Sequence, residues 1–172
     1  INRKIVDHIA DINLPYTEYS RRYLLSEGFR KEHVFVTGSP MQEVLQKHME
    51  KIDASDVIDK LGLVQGKYII VSAHREENID IEANFLSLMT AINNIAERYN
   101  IPIIYSTHPR SKKFIEQRNF TFHPLVQSLQ PFGFLDYNKL QKCSFFFLLD
   151  SGTLSEESAM LGFTGILLRK WT

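Results

Sequence analysis

Two polar segments of this sequence have residue types that could act on a phosphorylated ligand. The first, His74-Arg75-Glu76-Glu77-Asn78, combines an imidazole, a guanidinium, two carboxylates and an amide. His74 could stabilise a departing pyrophosphate group, and Arg75 could either pair with that anion or hold the loop through Glu76. A solvated turn with local ion pairs is the alternative interpretation. The segment is therefore a candidate catalytic turn.

The second segment, residues 150–157, follows an apolar run directly and opens a predicted helix. Free backbone N–H groups at a helix start favour anions. Ser151 could add a hydroxyl donor, and Gly152 would let an anion approach the backbone closely. An ordinary helix cap is the alternative. Glu156 and Glu157 could complement the helix dipole, or one of them could accept hydrogen bonds from the vicinal hydroxyls of a ribose.

Two further segments are weaker candidates. His108-Pro109-Arg110 repeats a polar arrangement after another apolar run, although a histidine beside a proline often only caps or orders a loop. Residues 130–134 combine the aromatic side chains of Phe132 and Phe134 with Gly133. Such a loop could bind a base, whereas aromatic residues at this density more often belong to a core. Both segments therefore stay open between a ligand-binding and a structural role.

The elements around these segments predict a doubly wound α/β sheet. Apolar runs without alternation, typical of strands buried on both faces, alternate with helical patterns. The predicted strands are residues 68–73, 102–105, 125–126, 145–149 and 166–168, and the predicted helices are residues 81–99, 112–117, 135–142 and 154–161. This alternation indicates parallel βαβ units in a Rossmann-like fold, whose ligands lie outside the carboxyl ends of the strands.

The first part of the chain continues the alternating pattern. A helix is predicted over residues 18–27, followed by a short strand at 34–36. That strand leads through a glycine turn into a helix that carries Met41, and another helix is predicted at 54–61. No linker separates these segments, so residues 1–172 are expected to form one domain.

Composition excludes several classes of protein. The 172 residues are 44% hydrophobic with a formal net charge of zero, so no global field favours nucleic acid or an acidic membrane. No apolar run approaches the length that spans a bilayer. The single cysteine, Cys143, cannot form an internal disulfide and fits a reducing cytoplasm. The other four histidines, His8, His33, His48 and His123, lack metal-ligand spacing, and no phosphate-loop or nucleophile-elbow motif occurs.

Taken together, four motifs resemble the C-terminal half of the UDP-N-acetylglucosamine 2-epimerase family. The most specific is the HRxEN turn at 74–78, followed later by DSGxxxEE at 150–157. Thr37-Gly38-Ser39-Pro40 and Thr107-His108-Pro109-Arg110 complete the pattern, which covers essentially the whole chain. The opening residues 1–11 resemble the segment that enters this domain, particularly in the branch that forms UDP-N-acetyl-L-fucosamine. Since the chain starts with Ile1 rather than Met and stops at Thr172 directly after an apolar run that resembles a strand, both ends are expected to be cut.

The resemblance implies one Rossmann-like half of a glycosyltransferase-B type fold, with the N-terminal domain and the extreme C-terminus absent. By the family mechanism a base removes the C2 proton, UDP leaves to give a 2-acetamidoglycal, and UDP adds back after reprotonation, with no metal or redox cofactor. His74 would assist at the diphosphate as the catalytic residue of this half. Ser151 and Gly152 would bind phosphate, Glu157 the ribose, and the loop at Phe132 and Phe134 the uracil.

Further expectations follow from the same resemblance. Arg75 and His108 would belong to the UDP site, and the acid and base groups would come from the missing domain, so this chain alone is expected to be inactive. The complete enzyme is expected to be a cytoplasmic homodimer that feeds polysaccharide synthesis, with no nucleic-acid or membrane partner.

The sequence departs from the common DSGGxQEE pattern at two positions. Thr153 and Ser155 replace the second glycine and the glutamine, as in the L-fucosamine branch, which puts plain UDP-N-acetylglucosamine in doubt as the substrate. Two other hypotheses stay open: the donor-binding half of a glycosyltransferase-B glycosyltransferase, and a non-enzymatic nucleotide-binding module.

Overall fold

A computed structural model describes residues 1–152 and 154–168. The chain divides into two compact units, residues 1–44 and 45–172, and the boundary falls within one helix. The helices are α1 (Asn2–Ile9), α2 (Glu18–Ser26), α3 (Met41–Asp53), α4 (Val57–Lys60), α5 (Glu76–Ile79), α6 (Glu82–Tyr99), α7 (Pro109–Gln117), α8 (Phe134–Cys143) and α9 (Leu154–Leu161). The strands are β1 (Ile69–Ser72), β2 (Ile103–Ser106), β3 (Val126–Leu129), β4 (Phe146–Leu149) and β5 (Gly165–Leu167).

The first unit is helical. Thr17 caps α2 by accepting a hydrogen bond from the Ser20 N–H at 3.2 Å, and a short 3₁₀ helix spans Lys31–His33. The predicted strand at residues 34–36 is wrong: Val34 makes only an isolated bridge to Asn13. Single backbone hydrogen bonds continue beyond the bridge, from the Phe35 N–H to the Asn13 carbonyl at 3.0 Å and from the Thr37 N–H to the Pro15 carbonyl at 3.2 Å. Pro15 has no N–H to donate in return, so a regular ladder does not form.

The second unit contains one sheet of five parallel strands in the order β3-β2-β1-β4-β5. This confirms the predicted α/β class with a parallel sheet. The central strands are buried on both faces, which explains their uninterrupted apolar runs. Ile69 pairs with Ile103 on one side and with Phe146 on the other.

Helix α6 covers one face of this sheet. Its fully buried side chains recur at three- and four-residue spacing, which places them on one stripe of the helix: Phe85, Met89, Ile92 and Ala96. Each large apolar side chain removed from water in this way contributes about 1.5–3 kcal/mol to stability. The core therefore holds β1 and β2 rigidly beneath the loops that follow them.

Two helices at the strand ends differ from the prediction. Helix α5 forms within the polar turn itself, where its two leading carboxylates lie in the first turn and complement the dipole. Helix α7 begins at Pro109 rather than near Lys112, because Pro109 is suited to the first helical position and the His108 side chain accepts a hydrogen bond from the Arg110 N–H.

Candidate functional site

The sheet topology creates a crevice between β1 and β4. The chain runs outward from β1 through β2 to β3 and then returns to the other side of β1 for β4. At such a reversal the connecting helices diverge to opposite faces, and ligands bind outside the carboxyl ends of the two strands. The candidate turn at residues 74–78 follows β1, and residues 150–152 follow β4. The fold therefore brings the two predicted segments to one place.

Asp150 joins these two segments. Its side chain is fully buried, and Oδ2 accepts hydrogen bonds from the backbone N–H groups of His74 at 2.9 Å and Arg75 at 2.8 Å. The Asn78 side-chain amide donates to the same oxygen at 3.1 Å. Nδ1 of His74 lies 3.6 Å from Oδ1. A carboxylate at the end of β4 thus fixes the loop at the end of β1.

A pocket of about 240 Å³ opens beside His74. It is lined by Ser72, His74, Ser106, His108, Pro131, Phe132, Phe134 and Tyr137. The rings of His74 and His108 lie 5.8 Å apart between centroids. Sites for whole drug-sized ligands usually measure about 300–1,000 Å³, so this pocket has room for part of a nucleotide, such as a base.

The aromatic loop forms one wall of this pocket. Phe132 is half-buried and Phe134, the first residue of α8, is 43% exposed. Phe134 also meets the ring of His48 edge-on at 5.8 Å. Burial raises the pKa of Tyr137 to about 12, the charges of Glu157 and Asp150 add to the rise, and a hydrogen bond with Ser72 opposes it. Tyr137 therefore presents a neutral hydroxyl at ordinary pH.

The turn after β4 has the expected small residues at the start of a helix. Ser151 is half-buried and Gly152 is exposed, and α9 follows from Leu154. Thr153, one of the two departures from the common pattern, lies outside the described residues. Glu157, in the first turn of α9, accepts a hydrogen bond from Nε2 of Gln141 at 2.8 Å. Gln141 is itself fully buried on α8.

The two arginines of the strand ends are held by carboxylates. Arg75 pairs with Glu77 at 3.0 Å. Arg110 pairs with Glu76 at 2.8 Å and also with Asp80; the hydrogen bonds to these two carboxylates raise the pKa of Arg110. Arg75 thus contacts the turn through Glu77 rather than through Glu76, the partner that the sequence suggested, and Glu76 pairs with Arg110 instead.

Sequence reasoning placed Asp150 in the second candidate segment but did not predict its contact with the His74 turn, and it did not identify Gln141 and Tyr137 as parts of this site. Asp150 had one local signal, a charged residue directly after an apolar strand. Gln141 and Tyr137 belong to a helix whose pattern gives no sign that it borders the crevice. Their roles depend on contacts between segments that are far apart in the chain.

Within residues 1–152 and 154–168, no group of three or more histidine, cysteine, aspartate or glutamate side chains is placed to hold a metal ion. Over the same residues, no helix is both long and apolar enough to cross a membrane.

The parallel sheet and the crevice at its reversal point define a Rossmann-like α/β domain with a small pocket at the carboxyl ends of its strands. The sequence pattern of one family, described as UDP-N-acetylglucosamine 2-epimerase, matches residues 1–172. The chain belongs to the UDP-N-acetylglucosamine 2-epimerase family.

Similarity to individual proteins supports this family membership. A UDP-N-acetylglucosamine 2-epimerase structure from Rickettsia bellii is 39% identical with a TM-score of 0.81, covering 98% of this chain and 45% of that one. The Methanocaldococcus jannaschii enzyme in complex with UDP-GlcNAc and UDP is 28% identical with a TM-score of 0.87, covering 98% and 48%.

A UDP-2,3-diacetamido-2,3-dideoxy-D-glucuronate 2-epimerase from Pseudomonas aeruginosa is 28% identical, over all of this chain and 47% of its own length. The chain spans about half the length of the curated relatives that it matches.

Proposed function

We propose that this chain is the UDP-binding half of a nucleotide-sugar 2-epimerase that acts on a UDP-N-acetylhexosamine. The observation that carries the proposal is the crevice between β1 and β4, where Asp150 holds the His74 loop against the Ser151–Gly152 turn. An imidazole and a helix start on one crevice suit a diphosphate. Solved relatives with UDP-GlcNAc and UDP bound support this ligand class.

The proposed ligand lies along the ends of the two strands. Uracil occupies the pocket bordered by Phe132 and Phe134, since a planar base packs well against aromatic side chains. The diphosphate lies at the Ser151–Gly152 turn, within reach of the His74 imidazole. His108 and Arg75 border that position from the ends of β2 and β1.

The ribose lies nearer α9 in this arrangement. Glu157 accepts hydrogen bonds from the ribose hydroxyls through its carboxylate, and Gln141 holds that carboxylate in place. A hydrogen bond between a hydroxyl and a carboxylate is stronger than one between neutral groups. This contact therefore selects a nucleotide with free ribose hydroxyls.

In the proposed reaction, UDP leaves the sugar by elimination after loss of the C2 proton and adds back after reprotonation on the other face. His74 stabilises the negative charge that develops on the departing diphosphate. In this proposal the base and the acid belong to a preceding domain, and this chain is the C-terminal half. A chain that binds UDP but lacks the acid and base of the C2 step cannot catalyse the reaction, so the 172-residue chain should bind UDP without turnover.

We also propose which sugar the complete enzyme produces, namely UDP-N-acetyl-L-fucosamine. Thr153 and Ser155 stand where the common family pattern has glycine and glutamine, as in the branch that forms UDP-N-acetyl-L-fucosamine. The complete protein is proposed to be a homodimer that serves polysaccharide synthesis. The single cysteine fits a cytoplasmic location.

Calorimetric titration of UDP into the chain tests the binding proposal. Ser151→Ala and His74→Gln should each weaken binding by about tenfold or more, because a hydrogen bond to a charged group is worth about 1.5–3 kcal/mol. Ser144→Ala is the matched control: its hydroxyl bonds to the Gln141 carbonyl beside the amino end of β4, away from the crevice. Unchanged UDP affinity in both site variants would refute the proposed diphosphate site at His74 and the Ser151–Gly152 turn.

Incubation with a UDP-N-acetylhexosamine in heavy water tests the division of roles. No deuterium should enter C2 and no glycal should appear with this chain alone. Robust turnover would contradict the assignment of the acid and base to another domain. With the complete protein, transfer of the sugar to an acceptor without exchange at C2 would instead indicate a glycosyltransferase.

A further inference from the structure

A carboxylate without solvent contact lies under the loop that carries His74. Asp150 is 0% exposed, and burial of an ionised group is strongly unfavourable unless donors compensate it. Oδ2 has this compensation, because it accepts two backbone N–H groups and the Asn78 amide. Among the described residues, the three groups that contact this oxygen are all N–H donors, so Oδ2 acts as an acceptor.

The other oxygen of Asp150 is different. Oδ1 is buried and has no hydrogen-bond partner among the residues that the structure describes. Nδ1 of His74 lies 3.6 Å away, which is beyond hydrogen-bond length by an amount that a small rotation of the imidazole would close. The His74 side chain is 46% exposed, so its ring has room for this rotation.

Asp150 is the more constrained of the two partners. Three donors hold Oδ2, and the Asp150 backbone N–H donates to the Ser72 carbonyl at 3.3 Å. The register of β1 and β4 pairs Ser72 with Leu149, so the backbone on both sides of the contact belongs to the sheet. The carboxylate is therefore a fixed acceptor and the imidazole is the adjustable partner.

We propose that Asp150 is a positioning residue for His74: Oδ1 accepts a hydrogen bond from Nδ1–H and so fixes the tautomer and the orientation of the imidazole. In a neutral imidazole only one nitrogen carries a proton, and a hydrogen bond to one nitrogen decides the state of the other. Nε2, on the other side of the ring, is then the nitrogen that faces the pocket. Once protonated, Nε2–H can donate to the departing diphosphate while Nδ1–H stays on Asp150.

The same carboxylate sets the distance between the two halves of the crevice. Through Oδ2 it holds the backbone of residues 74 and 75, and through its own chain it precedes Ser151 directly. The inference rests on the proposed function for its consequence, since it gives the diphosphate site its geometry. The tautomer itself is a property of the chain without ligand.

NMR of the chain with ¹⁵N-labelled histidine shows which ring nitrogen of His74 carries the proton. His74→Gln identifies the His74 signals by their loss, and His108→Gln identifies those of the neighbouring ring. At a pH where the imidazole is neutral, we expect the Nδ1–H tautomer in the unmodified chain. The Nε2–H tautomer there would overturn the proposal, so the test does not depend on any Asp150 variant that fails to fold.

Asp150→Asn should change this tautomer. The three donors require the amide oxygen at the position of Oδ2, which turns the NH₂ group toward His74 and makes Nδ1 the acceptor. Asp136→Asn is the matched control, because that aspartate of α8 accepts a hydrogen bond from Ser55 instead. A folded Asp150→Asn chain that keeps the tautomer of the unmodified chain would overturn the proposal.

UDP titration of the same samples separates this inference from the proposed function. We expect Asp150→Asn to bind UDP about tenfold more weakly, which corresponds to about 1.4 kcal/mol. A changed tautomer with no measurable UDP binding to either chain would support the positioning role of Asp150 and refute the nucleotide site.

Discussion

Replacing Gln141 with leucine should reduce nucleotide binding without reducing stability. Gln141 is fully buried, and its Nε2 donates to Glu157 at 2.8 Å. Its Oε1 is buried without a hydrogen-bond partner among the described residues. Leucine removes both polar atoms and fills a similar volume, so two opposing contributions to the free energy of unfolding change together.

The two contributions nearly cancel. Loss of a hydrogen bond to a charged group costs about 1.5–3 kcal/mol, and removal of an unsatisfied buried oxygen recovers about 1–3 kcal/mol. We therefore expect the free energy of unfolding to change by less than about 1 kcal/mol. Binding has no such compensation, because the Glu157 carboxylate loses the group that holds it toward the ribose.

Urea unfolding followed by circular dichroism measures the first quantity, and calorimetric titration of UDP measures the second. Affinity should fall by about tenfold. A UDP analogue that lacks both ribose hydroxyls should bind Gln141→Leu and the unmodified chain equally, since the contact that Gln141 supports is then absent. Unchanged UDP affinity in Gln141→Leu, or an equal loss with the analogue, would refute the reasoning.

Two other predictions concern stability. Burial raises the pKa of Tyr137 to about 12, so above pH 10 the folded chain retains a proton that the unfolded chain releases, and the free energy of unfolding should fall from pH 10 to about 12. The urea midpoint should therefore fall less steeply with pH in Tyr137→Phe than in the unmodified chain. The same dependence on pH in both chains would contradict this. Arg110→Ala should lower the melting temperature only slightly, and less in high salt, because the ion pairs of Arg110 with Glu76 and Asp80 are exposed to solvent and are screened by salt. A large loss of thermal stability that does not depend on salt would contradict this prediction.

Local patterns predicted most elements of the second unit but not their starts. The apolar runs of β1, β2 and β4 identified buried strands, because a strand covered on both faces has no polar alternation. The start of α7 was misplaced because Pro109 and the capping side chain of His108 extend it backward. The strand at residues 34–36 was wrong because the segment opposite it contains Pro15, which lacks the N–H group that a regular ladder requires.

The residues of the candidate site also fall into some that the sequence indicated and some that it did not. His74, His108, Ser151 and Glu157 follow strand ends or open helices, so their types and positions were visible in the sequence. Their roles toward UDP stay predictions. Gln141 had no local signal, because its contact with Glu157 depends on the packing of α8 against α9.

The sequence by itself determined that strands and helices alternate and that polar residues follow the strands, because both depend on neighbours within a few positions. It did not determine which strands lie side by side. Only the tertiary structure placed β4 against β1, and this brings Asp150 beneath a backbone N–H group 76 positions earlier in the chain. Such a contact arises because a buried carboxylate must find donors wherever the fold supplies them, and no local pattern records that requirement.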